Sequence, residues 1–191
     1  MSLARRLHRY TYADYVALEH ASSTKHEFFE GQIYAMAGGS EEHSALAAAV
    51  LRLLGNAIGD RPCRAHTSEL RIYVEAVGLA TFPDGSVVCG PLEQHGPSPI
   101  ATALNPRILL EVTSDSSEEY DMGTKLEAYL TIPSLTEYVV VSHRERRITV
   151  HGRAPGGGWV MRVAIAGGSV AVESLGLVLQ VDEVYRGSAI A

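Results

Sequence analysis

The chain has 191 residues, 46% of them hydrophobic and 20% charged, with a formal net charge of −6 at pH 7. It reads as one domain spanning 1–191, long enough to bury a core without help from disulfides or metals, and no apolar run reaches the about eighteen residues of a membrane helix. The acidic balance argues against a protein that coats nucleic acid non-specifically, because phosphate contacts need clustered Lys and Arg; an enzyme acting on nucleic acid through a carboxylate site stays open.

The basic opening MSLARRLHRY is followed by no apolar segment, so no signal peptide is expected. TYADYVALEHA (11–21) predicts a short helix capped by Thr11. In EFFEGQIYAMAGGS, apolar residues flank Glu30-Gly31, which predicts a hairpin ending at Gly38-Gly39. Residues 41–59 carry Leu46, Val50, Leu53, Leu54 and Ile58 on one stripe and predict the strongest helix. Two strands are expected next, over 64–76 and 81–89, then a proline-containing loop over 91–106. RILLEV (107–112) predicts a buried strand, and 116–130 a helix opened by the capping box Ser116-x-x-Glu119. LTEYVVVSH is a further buried strand. RRITVHGR and WVMRVAIA form a hairpin around PGGG, and VAVES and LVLQV are short strands near the end. The strand–helix–strand piece over 107–141 predicts a parallel crossover, and with it an α/β fold with a mixed β-sheet flanked by helices and additional C-terminal β-hairpins.

Cys63 and Cys89 form neither a CxxC pair nor a disulfide framework, which reads as two thiols in a reducing cytoplasm. The histidines lack HxxxH or HxH spacing, so a zinc site has little support. No Gly-x-Ser-x-Gly elbow and no phosphate-cradling glycine loop is present.

Glu111 is the most informative residue, because a carboxylate inside ILLEV needs a cation, a metal or hydrogen bonds to stay there. A strand-end glutamate or a buried salt bridge would also explain it. Lys125 lies on the edge of the apolar stripe of the next helix, and the short loop after Glu111 should fold that helix back over the C-terminal end of the strand, where α/β sheets place their sites. Asp121, one turn earlier, could pair with Lys125 at the surface. Asp84, in TFPDGSVV, is either a turn residue or a second carboxylate beside Glu111. Two carboxylates and a lysine together can hold a hard divalent cation and hydrolyse a phosphodiester. A carboxylate-pair glycosidase ranks last, because it gives the lysine no part.

PD84, E111-V-T and D121-x-x-x-K125-x-x-x-Y129, with E27-F-F-E30-G31, His43 at the opening of the long helix, and the EYVVV strand, resemble the PD-(D/E)XK nuclease superfamily, and more narrowly the Uma-two family of restriction-endonuclease-like proteins. The likeness runs from about residue 11 to 185. It implies a restriction-endonuclease-like core, with Asp84 and Glu111 as ligands of Mg²⁺ or Mn²⁺, Lys125 as the catalytic lysine, Glu27 as a further acidic ligand with Glu30 its competitor, and an auxiliary role for His43. The sequence departs from the pattern in three places: Thr113 stands where the motif lysine would follow Glu111, so Lys125 must act from the helix; Thr113, Ser114, Asp115 and Ser116 stand where Ser-Pro-Ser is usual; and Gly85 follows the aspartate where an apolar residue is usual. The function so implied is a metal-dependent endonuclease acting on DNA in the cytoplasm, without a membrane; the alternative is a nuclease-fold binding or assembly module that cuts nothing. The C-terminal strands offer edges to pair, so a homodimer is expected.

Overall fold

Thr11 begins the first helix as the sequence predicts. Its hydroxyl accepts from the Asp14 amide at 3.1 Å while the Asp14 carboxylate accepts from the Thr11 amide at 2.8 Å, a reciprocal cap for α1 (Tyr12–Ala21). The computed structural model describes residues 9–96 and 100–190; the leader before Arg9, and Pro97 and Pro99 of the expected loop, lie outside the described residues. The hairpin forms from β1 (His26–Phe29) and β2 (Gln32–Ala35), with Glu30 at φ 50° in its turn. The long helix is α2 (Glu41–Ile58), capped by Ser40, and buries the expected apolar stripe.

The next two expected strands are each cut in two. Residues 64–76 form β3 (Cys63–Thr67) and β4 (Arg71–Val74), and residues 79–89 form β5 (Leu79–Thr81) and β6 (Gly85–Cys89). The chain changes sheet at each break. β4 and β5 belong to a five-stranded sheet ordered β2-β1-β5-β4-β7, with β7 at Thr102–Ala103. β3 and β6 belong to a six-stranded sheet ordered β11-β10-β9-β8-β6-β3, built with β8 (Pro106–Val112), β9 (Glu137–Val141), β10 (Arg147–Arg153) and β11 (Trp159–Ile165). Both sheets are mixed, and β8 and β9 run parallel as the crossover requires. A ribbon of β12 (Ser169–Val172) and β13 (Leu177–Gln180), followed by the short helix α5 (Val181–Val184), completes the chain.

The single helix expected over 116–130 is also broken. It forms α3 (Glu118–Met122) and α4 (Thr124–Tyr129), and Ser117 rather than Ser116 precedes it, without a side-chain cap. Gly123 marks the break: a Cβ there would lie 2.8 Å from the Glu119 carbonyl oxygen, so the chain turns where no side chain obstructs it. The cysteines correct a second expectation. They face each other across the β3–β6 ladder and are joined as a disulfide. Nothing in their spacing signalled that register, and the inference of a reducing compartment from free thiols loses its ground.

Side-chain alternation along β8 divides the interior. Ile108, Leu110 and Val112 pack with α2, β10 and the β12–β13 ribbon in one cluster. Leu109, on the opposite face, packs with Ile72, Val74 and Leu79 of the five-stranded sheet and with Ala128 and Tyr129 of α4. Glu111 shares that second face. It is carried into the layer between the two sheets, under α4.

Candidate active site

Four segments distant in sequence meet at the C-terminal end of β8. β1 supplies Glu27, the link from β5 to β6 supplies Asp84, β8 supplies Glu111, and the α3–α4 unit supplies Asp121 and Lys125. Glu27, Glu111, Asp121 and Lys125 are each at most 6% exposed. The Lys125 ammonium lies 2.9 Å from Glu27 Oε1, 3.1 Å from Glu111 Oε1 and 3.3 Å from Asp121 Oδ1. Tyr129 donates its hydroxyl to Glu111 Oε1 at 2.9 Å, and Thr81 donates to Glu27. Thus Oε1 of Glu111 is saturated by the helix above it, and Oε2 faces Asp84, whose backbone N–H lies 3.4 Å away.

Asp84 answers the question its sequence raised. Phe82 and Pro83 carry the chain from one sheet to the other, so the bend is real, and it ends with the Asp84 carboxylate accepting from the Val112 amide at 2.7 Å. That bond holds it beside Glu111 at the strand end. Gly85 belongs to β6 rather than to a turn: a Cβ there would come within 2.5 Å of Leu51 Cδ2, because α2 packs directly on it. His43, in the first turn of α2, places Nε2 3.1 Å from Asp84 Oδ2.

The structure therefore brings Asp84, Glu111, Lys125, Glu27 and His43 together. It leaves Glu30 exposed in the hairpin turn. Glu27 reaches the site from β1, the first strand of the expected hairpin. Asp121 pairs with Lys125 inside the protein rather than on the surface, so the i, i+4 spacing was read correctly but its burial was not. Its Oδ1 has no hydrogen-bond partner, although the ammonium is close.

Burial sets the electrostatics. It pushes the Glu111 carboxyl up to about 8, with Lys125 pulling against it. Burial likewise raises Asp121, opposed by Lys125 and by the Ser117 hydroxyl. Burial alone would depress Lys125, but the Glu111, Glu27 and Asp121 charges outweigh it and hold the amine well above its ordinary value. The hydrogen bond to Asp84 raises the His43 imidazole against its partial burial.

These residues suit a hard cation in their donor chemistry. Four carboxylates surround one amine and one imidazole, leaving an excess of negative charge in a buried place, and all the acidic donors are oxygens. Among the described residues, no three His, Cys, Asp or Glu side chains are grouped as a ready cage. A magnesium-type ion does not need one, because it keeps several waters and takes one or two carboxylates. Asp84 and Oε2 of Glu111, the oxygen that neither Lys125 nor Tyr129 holds, meet that requirement.

Residues 12–182 match the family model Uma2, described as "Putative restriction endonuclease". Two uncharacterized proteins of Synechocystis sp. are similar to the chain. One is 34% identical over 92% of this chain and 91% of its own length, the other 30% identical over 79% and 85%. A crystal structure described as a putative nuclease belonging to DUF820, from Anabaena variabilis, superposes with a TM-score of 0.69 at 19% identity, over 86% of this chain and 91% of that one. The likeness establishes a nuclease-type mixed α/β fold with helices flanking the sheets. Among the described residues no helix is long and apolar enough to cross a membrane.

Proposed function

This chain belongs to the Uma2 family of restriction-endonuclease-like proteins, and from that premise we propose that it hydrolyses DNA phosphodiester bonds with the help of a divalent cation, Mg²⁺ or Mn²⁺. The observation that carries the reading is the convergence of Asp84, Glu111 and Lys125 from three separated segments onto one strand end. Asp84 and Glu111 would hold the ion, with Glu27 in the same buried cluster beside Lys125. When bound, such a cation neutralises the carboxylates, acidifies water and polarises a phosphoryl oxygen.

The chain's own groups divide the remaining work. Lys125 is kept charged by the acids around it, so its N–H groups are available to orient the attacking water and to meet the charge that develops on the phosphoryl oxygens. Asp121 and Glu27 fix where that ammonium sits. Tyr129 holds one oxygen of Glu111 and leaves the other turned toward Asp84. His43 steadies Asp84 from the α2 side. Water adds to phosphorus and gives up a proton to solvent, the phosphorus–oxygen ester bond breaks, and the departing sugar oxygen takes a proton from solvent to leave as a hydroxyl.

A second reading, a nuclease fold that binds or assembles without cutting, draws on the burial of the pocket and on Lys125 lying between the acids that would hold the ion. One assay separates the two. Plasmid and single-stranded DNA are incubated with the protein, with and without Mn²⁺, beside Asp84→Ala and Lys125→Ala. Cleavage that needs the metal and disappears in both variants supports hydrolysis. Absence of cleavage with intact DNA binding supports the second reading.

A further inference from the structure

Four strands end the two large sheets: β2 and β7 in one, β3 and β11 in the other. An open edge presents unpaired N–H and C=O groups, and proteins blunt it by shortness, charge, proline or a bulge. β7 has two residues. β2 has four, and the chain at Tyr10 bonds the adjoining Gly31 carbonyl at 2.8 Å. β3 has five, carries the exposed Arg64 and is tied to its neighbour by the disulfide.

β11 uses none of these devices on the face that carries Met161, Val163 and Ile165; its one charge, Arg162, lies on the other face. The strand runs for seven residues in unbroken register with β10, from Arg147 opposite Ile165 to Arg153 opposite Trp159, without proline or lysine. Val160, Met161, Val163 and Ile165 are 48%, 61%, 48% and 59% exposed. Met161, Val163 and Ile165 share one face of the sheet, which is covered as far as β10, where Thr149 and His151 are buried, and is open at β11; Val160 lies on the other face. Among the described residues no strand pairs with its outer edge.

We propose that β11 pairs antiparallel with β11 of a second copy about a two-fold axis at Val163, making this strand the interface of a symmetric homodimer. A two-fold interface must complement itself, and this strand does so in one register. With Val163 opposite Val163, Met161 of each copy faces Ile165 of the other, and the apolar row is covered from end to end. Arg162 is the only charged residue on the strand. It faces Ala164 of the other copy, lies on the opposite side of the sheet from the apolar row, and is already paired with Glu173 at 3.0 Å. Centring the axis on Arg162 would set two guanidinium groups against each other. A shift by one residue would turn the apolar row to the wrong face. Charge and alternation therefore select both the occupant and the register. A single seven-residue strand pair falls below the roughly 1,000 Å² of a stable interface, so the dimer belongs to the weak class, with a dissociation constant in about the micromolar range.

Sedimentation velocity on the full chain, from about 1 to 200 μM to bracket such a constant, reads the outcome directly. The mass rises with concentration from 20.6 kDa toward twice that value. The double variant Val163→Lys/Ile165→Lys stays monomeric with an unchanged circular dichroism spectrum. Val77→Lys, at an exposed apolar residue in the turn between β4 and β5, dimerises as the parent does. A short bis-maleimide links Val163→Cys to itself but not Met161→Cys, which faces Ile165. A monomer at every concentration overturns the proposal, whatever else binds the strip, and so does a double variant that still dimerises. Should that double variant lose its fold, Val163→Cys decides: a dimer that this linker cannot join overturns the register and the interface together.

Discussion

Two ion-pair clusters flank the loop after β8, and they contrast in environment. In one, Lys125 is enclosed by Glu27, Glu111 and Asp121 between the two sheets. In the other, Arg144 bridges Asp115 at 3.0 Å and Glu118 at 2.7 Å, with the Asp115 side chain 86% exposed. The distances are alike, yet water screens the second cluster and is shut out of the first. Exposed pairs contribute little to stability because screening and side-chain entropy offset the attraction. A buried cluster stands or falls as a unit, because removing one partner strands the others without solvent. Short ion pairs alone do not identify a site; desolvation and unequal charge do.

The sharpest way to break this contrast is to remove the amine. Lys125→Met should lower folding stability by about 3–5 kcal/mol, because three buried carboxylates lose their counter charge, and should reduce cleavage at least about 100-fold. Chemical denaturation and the plasmid assay check the two effects. A stability equal to that of the parent would show that the acids are solvated after all.

Glu111→Gln should separate the two effects. Cleavage is lost, while the fold is kept, because the amide imitates the protonated acid. The sign with pH follows from its carboxyl being raised to about 8. In the metal-free protein the folded state keeps a proton that the unfolded state releases above the ordinary carboxylate range. The contribution of this group to stability is therefore greatest at low pH and declines as pH rises from about 5 to 8. Thermal melts across that window should show a decline in the parent that the variant flattens.

His43→Ala acts one step out, through Asp84. It should weaken Mn²⁺ binding about tenfold, measured by calorimetry, with a smaller effect on stability than Lys125→Met. Because Asp84 raises the His43 pKa, the stability their pairing adds is fully present below the ordinary imidazole range and is lost as pH rises through the raised value. Arg144→Ala, in the exposed cluster, should leave both the melting curve and cleavage unchanged. Any comparable loss there would erase the distinction between the clusters.

Much of this was legible in the sequence where one residue type has one physical meaning. The Thr11 cap, the Glu30-Gly31 hairpin, the apolar stripe of α2 and the parallel crossover around β8 all follow from local pattern, and Glu111 was conspicuous because a carboxylate in an apolar strand demands a partner. The breaks were hidden for a matching reason. Neither Ser68–Leu70 nor Phe82–Asp84 contains a glycine, and apolar residues resume soon after each, so periodicity cannot tell a strand that goes on from a chain that crosses between sheets. A single glycine such as Gly123 is tolerated inside a helical pattern, so it does not announce a break. Asp121 was misplaced because spacing from Lys125 gives proximity and not depth. The Cys63–Cys89 bond depends on the β3–β6 register, which no local signal encodes.

The central claim, that Asp84 and Glu111 together form a cation site beside Lys125, is tested most directly by crystals soaked in Mn²⁺ and measured at the manganese absorption edge. The account predicts an anomalous peak within coordination distance of both carboxylates, absent in Asp84→Ala. A saturating soak that leaves those two side chains without a peak, or places manganese elsewhere on the protein, contradicts it.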